Sequence, residues 1–380
     1  MLRSSNQQQT NKQENIVNVA VAVIHYQQQY LLGFRSTEQH QGNRYEFVGG
    51  KIDVGETVKQ ALIREVNEET GIDIHANTLV KLGRLHHDYG DKQVSLQVYD
   101  IELTAEQYDQ HRHCQYGLEG QALTWVNKPD LLAGNYRLPA ANQTILAWLQ
   151  LPPLITVTYP LAHFDGYSDA SAAWLEYHQK NLATDAWVYI RAKALDSEAI
   201  AEQLMQLRPD VHMILSNHSV AHDSLLNKSG VPNSITNSQV VAKHLTHSAL
   251  MQWYAEVKDS SQDSSQNKSQ ELSKNLQLLS SSHPMIVSCH DVDSIHAANQ
   301  LAAERIQQQL PPVVGMFLSP VLATQTHPDA APLGWQQWSE LAELADIPVI
   351  GLGGLSPKLL QHAKQKGATS IAGIRQFLQS

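Results

Sequence analysis

A chain of 380 residues is long enough for two folded units, and 42% hydrophobic with 17% charged residues describes a soluble globular protein. A formal net charge of −10 excludes a general binder of nucleic-acid polymers, which would carry a basic stripe. No apolar run approaches membrane-spanning length, and the two cysteines, Cys114 and Cys289, form no ligand cluster, which predicts a reduced, cytoplasmic setting with no membrane partner.

Residues 1–15 are rich in Gln, Asn and Ser without an apolar centre, so they read as a disordered tail and not as a signal peptide. Ile16–His25 is a β-rich run, and Tyr30–Phe34 follows the polar turn Gln27-Gln28-Gln29, which predicts two paired strands. Arg35 and His40 fall in a polar loop leading to Tyr45-Glu46-Phe47-Val48. Gly50–Ile72 then carries the densest chemistry. Val58, Ala61, Leu62 and Val66 recur at helical spacing, predicting an amphipathic helix over 57–70, with Gly71 as its left-handed stop and Gly49-Gly50 permitting a sharp turn before it. On that helix Glu65, Glu68 and Glu69 stand at i, i+3 and i+4 and share one edge, where like charges repel. A cation relieves that repulsion, and an oxygen-only ligand set suits Mg²⁺ or Mn²⁺. A solvated acidic face is the plainer reading of such a run, but it leaves Glu56, Arg64 and the flanking glycines unexplained.

Beyond the helix, Leu79–Leu85 and Val94–Leu103 read as strands joined through the turn at 88–91, Ala122–Val126 as another, and Ala140–Leu149 as a helix with Ile145, Leu146 and Trp148 buried. The expected outcome for residues 16–150 is a mixed sheet with helices on both faces, an α/β/α sandwich.

The residues Gly50, Glu56, Arg64-Glu65-Val66, Glu68-Glu69 and Gly71-Ile72 match, position by position, the signature G-x5-E-x7-R-E-U-x-E-E-x-G-U, in which U is aliphatic, and the chain resembles the Nudix hydrolases. The resemblance implies that Glu56, Glu65, Glu68 and Glu69, with the Gly49 carbonyl, hold divalent ions against a substrate's phosphates, that Arg64 orients the carboxylates, and that Glu65, Glu68 or Glu119 is the base. Within that class this half is similar to the 8-oxo-dGTP diphosphatases of the MutT branch, carried by Arg35, His40, Glu46-Phe47-Val48-Gly49-Gly50-Lys51, Glu119-Gly120-Gln121 and Leu138-Pro139-Ala140-Ala141-Asn142. It implies nucleotide-pool sanitation, a pocket lined by Arg35, His40, Glu46, Phe47, Val48 and Gly49, and Asn142 as the reader of the purine edge. An amide offers donor and acceptor together, which suits an oxidised guanine; a helix-capping role is the other reading of Asn142. Val48 stands where that branch commonly has proline. Glu119 reads either as a solvated loop residue or as an additional acidic ligand or base.

Composition changes at Leu151-Pro152-Pro153, which predicts a linker. From Leu154 apolar runs alternate with helical stretches: Leu154–Thr158, Trp187–Lys193, His212–Asn217, a weak strand near Val231–Ile235, Met285–His290, Val313–Val321, Pro348–Gly354 and Ser370–Ile374. Helices are expected at Ser197–Leu207, Gln239–Val257, Val292–Gln309, Gly334–Ala345 and Pro357–Lys366. About eight such units close a parallel barrel of the TIM type over residues 151–380, interrupted by a Ser/Gln-rich insertion at 259–283. This half resembles the thiamine phosphate synthase/TenI superfamily through Ile190-Arg191-Ala192-Lys193, Ser288-Cys289-His290-Asp291, Ser319-Pro320-Val321 and Gly351-Leu352-Gly353-Gly354-Leu355. It implies a site for a phosphorylated thiazole or pyrimidine, with Arg191, Lys193, His290, Gly353 and Gly354 as candidates and His290 either an acid/base group or a core histidine. Asn217-His218-Ser219 replaces the superfamily's acidic metal ligand, no histidine motif is recognisable near Val231, and His327 stands for a lysine, so a degenerate synthase is expected. Other Nudix substrates (a dinucleotide, ADP-ribose or a thiamine-pathway diphosphate) remain as alternatives, with the barrel a regulator or a second enzyme.

Overall fold

Small and β-branched residues alternate along the first strand because each of its faces meets a different layer. In a computed structural model describing residues 16–38, 42–90, 92–191, 197–216, 239–262, 281–324 and 331–379, β1 (Val17–Tyr26) runs through the middle of a seven-stranded sheet. Ala20, Ala22 and Ile24 face one apolar layer, Val21 and Val23 the other, as the two-residue period of a strand requires. β2 (Gln29–Arg35) pairs antiparallel with β1 and is followed by β3 (Arg44–Glu46), β4 (Val48–Lys51) and α1 (Val58–Thr70). Next come β5 (Leu79–Asp88), β6 (Gln93–Glu102), α2 (Ala105–His111), β7 (Ala122–Asn127), α3 (Lys128–Leu132) and α4 (Asn142–Leu149). The strand order is β3-β2-β1-β6-β5, with β4 paired to β1 and β7 to β2; β1 and β6 are parallel. Ala61, Leu62 and Val66 of α1 cover one face, and Ile145, Leu146 and Trp148 of α4 the other.

The second half is a closed parallel barrel. In chain order it consists of β8 (Leu154–Val157), α5 (Ala170–Asn181), β9 (Trp187–Tyr189), α6 (Ser197–Leu207), β10 (His212–Ser216), β11 (Val240–Leu245), α7 (His247–Gln262), β12 (Met285–Cys289), α8 (Val292–Gln307), β13 (Val313–Leu318), α9 (Gly334–Glu343), β14 (Val349–Leu352), α10 (Leu360–Gln365) and β15 (Ser370–Gly373). β15 closes onto β8.

Two expectations need correction. The fourth barrel strand is Val240–Leu245, inside the stretch read as a helix over Gln239–Val257, and it does carry a histidine, His244. The break is local: the Thr246 side chain accepts from the Ala249 N–H at 3.4 Å, and its carbonyl takes the Leu250 N–H at 2.9 Å, so the helix begins after Thr246. The insertion also starts later than expected, since residues 259–262 continue α7. Helices α2, α3 and α5 were not anticipated. Each has a local signal: Thr104 and Gln107 form a reciprocal box, Pro129 stands in the first turn of α3, and Asp169 accepts from Ala172 N–H at 2.9 Å. The tail at 1–15, the strand near Val231–Ile235 and the insertion from 263 to 280 lie outside the described residues. Among the described residues no helix is long and apolar enough to cross a membrane.

Sheet and barrel share one apolar core: the layer under Val21, Val23 and α4 continues into Val313, Met316, Ile347 and Val349. Polar contacts rim it. Arg84 pairs with Asp346 at 2.9 Å and Lys364 with Glu102 at 3.1 Å. Behind that rim lies a buried pair, His25 Nε2 and Asp100 Oδ1 at 3.2 Å.

Candidate active site

α1 is fixed at both ends by its own sequence. Thr57 and Gln60 form a capping box at its start, and Gly71, at φ 76°, ends it with its N–H on the Asn67 carbonyl. Its apolar stripe docks on the sheet beside β4, whose Gly49 and Gly50 pair with Val21 and Ala20. Glycine at position 50 is a steric requirement: a Cβ there would stand 2.2 Å from the Glu65 carboxylate. The acidic edge of the helix therefore lies directly against the strand backbone.

Arg64 organises one group of carboxylates. Its Nε and Nη2 donate to the two oxygens of Glu56 at 3.0 and 2.9 Å, and Nη1 donates to Glu65 at 2.8 Å and to Glu68 at 3.1 Å. Nη2 also reaches the Lys51 carbonyl at 3.0 Å. A planar fork meeting two oxygens at once holds Glu56 in a fixed orientation. The Arg64 hydrogen bonds, then the Asp53 N–H, hold the Glu56 carboxyl below its usual range. Glu65 behaves oppositely, pushed up by burial, which outweighs Arg64, with Glu68 and Glu119 adding repulsion. Glu68 is half exposed.

Glu69 belongs to a second group. Burial first, then the charges of Glu46, Glu65 and Glu119, push its carboxyl up to about 8, against the opposing pull of a backbone hydrogen bond from Gly49. Glu119 comes near because the loop 117–121 docks on the end of α1, where Leu118 N–H and the Gln121 amide both donate to the Glu69 carbonyl, at 2.9 and 3.2 Å. This contact is what the loop's Gly-Leu-Glu-Gly-Gln pattern encodes, and it makes Glu119 part of the acidic neighbourhood although its side chain is exposed.

Glu46 joins this group to the candidate nucleotide pocket. It accepts from Arg35 Nε at 2.5 Å across the β2–β3 pair, and burial, opposed by Arg35, raises its carboxyl. Phe47 and Val48 are buried beside it. The segment 138–142 is tied to β3 by Tyr45 N–H on the Arg137 carbonyl at 2.9 Å. Asn142 is buried, its helix is capped by Ala141 without a side-chain bond, and its own amide makes no hydrogen bond among the described residues. The capping reading of Asn142 therefore has no support in the geometry. Tyr89, which the sequence reading passed over as a turn residue, lies by Ala141 and near Arg35, Arg44 and Glu46. Nothing in a Tyr-Gly turn marks such a residue in advance. His40 lies outside the described residues.

Among the described residues no three His, Cys, Asp or Glu side chains converge into a formed ligand set. The donor chemistry nevertheless suits a hard divalent cation: the charges of Glu65 and Glu119 act on Glu69, the carboxyls of Glu65 and Glu69 are raised, and every candidate ligand atom is an oxygen.

At the C-terminal mouth of the barrel, His290 is exposed after β12, so it is not a core histidine. Its Nδ1 donates to the Ser319 carbonyl at 2.8 Å, and its ring lies 4.9 Å from that of His247. His244 bridges Tyr189 and Ser288, at 2.8 Å on each ring nitrogen. Arg191 N–H donates to Thr158 at 2.9 Å. Gly353 and Gly354 follow β14 and pack against Pro320–Ala323. Lys193 lies outside the described residues.

Comparison with known proteins fits this arrangement. Residues 19–148 match the family described as NUDIX domain, and residues 270–377 match the family described as Thiamine monophosphate synthase. The chain belongs to the Nudix hydrolase family, being 30% identical over 135 residues to the 8-oxo-dGTP diphosphatase of Escherichia coli (strain K12), of which it covers 96% with 35% of its own length. Within that family its N-terminal part is 8-oxo-dGTP diphosphatase-like, and it is followed by a thiamine monophosphate synthase domain. The CTP pyrophosphohydrolase of the same organism is 27% identical over 131 residues, with 89% of its length and 34% of this chain covered. For the barrel, a protein of Aquifex aeolicus (strain VF5) named for a thiamine-phosphate synthase is 34% identical over 92 residues, or 24% of this chain. The chain spans only 44% of that relative's length. Hydrolases of the Nudix family use divalent metal ions.

Proposed function

We propose that residues 16–150 form a hydrolase that splits 8-oxo-dGTP, or a related oxidised purine nucleoside triphosphate, into the monophosphate and pyrophosphate, and so cleanses the cytoplasmic nucleotide pool. The observation that carries the reading is a half-buried Glu69 whose carboxyl is raised by burial and by the charges of Glu46, Glu65 and Glu119, together with a buried Asn142 whose side-chain amide takes no hydrogen bond among the described residues. Mg²⁺, or Mn²⁺, would be held by Glu56, Glu65, Glu68, Glu69 and the Gly49 carbonyl, and when bound supplies charge neutralisation of the phosphates and a more acidic water. Arg64 keeps Glu56, Glu65 and Glu68 in register. Arg35 and Glu46 brace the pocket wall, Phe47 and Val48 exclude water behind it, and Asn142 pairs with the base edge. Glu65, Glu68 or Glu119 takes the proton of the attacking water.

Turnover of 8-oxo-dGTP, dGTP, CTP and thiamine diphosphate, each with and without chelator, tests this. The expected result is a preference for the oxidised purine that chelator abolishes; equal turnover of dGTP would refute the sanitation role. In the same assay Asn142→Ala lowers the preference for 8-oxo-dGTP over dGTP by about 10- to 100-fold, the worth of one or two hydrogen bonds of ~1–3 kcal/mol, with kcat for dGTP unchanged.

Residues 151–380 are read as a degenerate synthase that retains a phosphorylated-ligand site, a thiazole or pyrimidine phosphate resting near Arg191, His290, Gly353 and Gly354. The exposed His290, whose Nε2 has no hydrogen-bond partner among the described residues, favours a ligand role over a packing one.

A further inference from the structure

α4 has a polar start and an apolar end. Asn142 opens it, and Trp148 lies six residues on, about 9 Å along the axis. The helix has only 8 residues and no side-chain cap at either end. So short a helix is not stable by itself, and its position is set by what its side chains dock against. Ile145, Leu146 and Leu149 supply burial without direction, and Trp148 supplies the directional contact. Its indole, 1% exposed, donates Nε1–H to the Val313 carbonyl at 3.1 Å, at the first residue of barrel strand β13.

The ring is held from a second side by β5. At Gly83 an added Cβ would stand 2.7 Å from Trp148 Cη2 and 2.5 Å from the Asp346 carbonyl oxygen, so only glycine admits both neighbours unmoved. Asp346 belongs to the barrel loop between α9 and β14. Its carbonyl takes the Arg84 N–H at 3.1 Å and its carboxylate the Arg84 guanidinium at 2.9 Å, while Lys81 donates to the Glu343 carbonyl at 2.8 Å. The foot of α4 is thus clamped between an edge strand of the sheet and the floor of the barrel.

We propose that the barrel floor is part of the nucleotide-recognition machinery, with Trp148 a positioning residue that holds Asn142 at the depth and angle needed to read the base. This rests on the base-reading role of Asn142 argued above. It also accounts for the covalent fusion of the two folds in one chain: a hydrolase cut from its barrel would lose the partner that sets the end of α4.

The full-length chain is assayed with 8-oxo-dGTP and dGTP as wild type, Asn142→Ala, Trp148→Phe, Gly83→Ala and the Asn142→Ala/Trp148→Phe double variant. Trp148→Phe keeps most of the volume and loses the N–H; it is expected to raise KM for 8-oxo-dGTP about tenfold, lower the preference by the same factor and leave kcat within about twofold. Gly83→Ala, which displaces the ring and keeps the N–H, moves KM the same way and carries the test if the Phe variant does not fold. The double variant is expected to match Asn142→Ala alone, since both act through one contact. KM and the preference ratio do not depend on the folded fraction, so a purely structural role would lower apparent kcat and leave both unmoved. Effects at Asn142 with none at Trp148 and Gly83 overturn the proposal alone. Silence at Asn142 overturns the base-reading assignment and this proposal together.

Discussion

Glu69→Gln lowers turnover by about three orders of magnitude, equivalent to ~4 kcal/mol of transition-state stabilisation, while the folded chain becomes more stable. The two effects have opposite signs for one reason. Glu69 sits among Glu46, Glu65 and Glu119, and burial with their charges pushes its carboxyl up to about 8. An isosteric neutral amide spares the fold the cost of holding a carboxyl raised to about 8, and takes an anionic oxygen from the cation's ligand set. Glu68→Gln causes a comparable loss of turnover with almost no change in stability, because Glu68 is 51% exposed and its tie to Arg64 is solvent-screened. Steady-state turnover in Mg²⁺ and a thermal melt of each purified variant check both halves. Activity retained in both variants would refute the metal-site assignment; stability lost in Glu69→Gln would mean that its carboxylate serves the fold.

Much of this is legible in the sequence, and the reason is local. The stop at Gly71 and the stripe of Ala61, Leu62 and Val66 are short-range signals, so α1 appears in the sequence nearly residue for residue. The barrel's alternation of apolar runs with helices was equally readable. What stayed hidden depends on distance in space. Arg64 was expected to orient the carboxylates, but that it would meet Glu56, eight residues earlier, through both arms of its fork follows only from how the 51–57 loop folds back. Tyr89 near Ala141 joins residues about 50 apart. The fourth barrel strand was misread because Val240–Leu245 runs directly into α7, so one apolar pattern covers both and only Thr246 marks the change. The clamp on Trp148 is less legible still, since Gly83 and Asp346 look like an ordinary strand glycine and a loop acid.

The same contact region holds the largest expected stability effect. His25 on β1 and Asp100 on β6 stand diagonally across the parallel pair, Asp100 being opposite Val23, with Glu102, Lys364 and Lys128 around them and Tyr30 stacked on the imidazole at 5.2 Å. Burial pulls the His25 imidazolium down, but the charge and hydrogen bond of Asp100 win and raise it above 6.5. Burial pushes Asp100 up, but His25, Lys364 and Lys128 win and hold it below 3.8. A raised histidine contributes stability that is complete below 6.5 and lost as pH rises through its folded value; a depressed carboxyl contributes above 3.8 and is lost as pH falls through its own. The pair therefore stabilises most between those two limits, and its contribution falls as pH rises from 6.5 through the folded value of His25. Asp100→Asn removes one partner and strands the other, a cost of ~3–5 kcal/mol for a buried pair. It also takes away what raised His25, so the His25 share of the decline above pH 6.5 is missing from the variant's profile, while the part due to the raised Glu69 remains. Urea unfolding from pH 4 to 8 on both proteins measures the two effects at once. If Asp100→Asn shifts the midpoint equally at every pH, His25 is neutral in the native protein and the buried ion pair does not form.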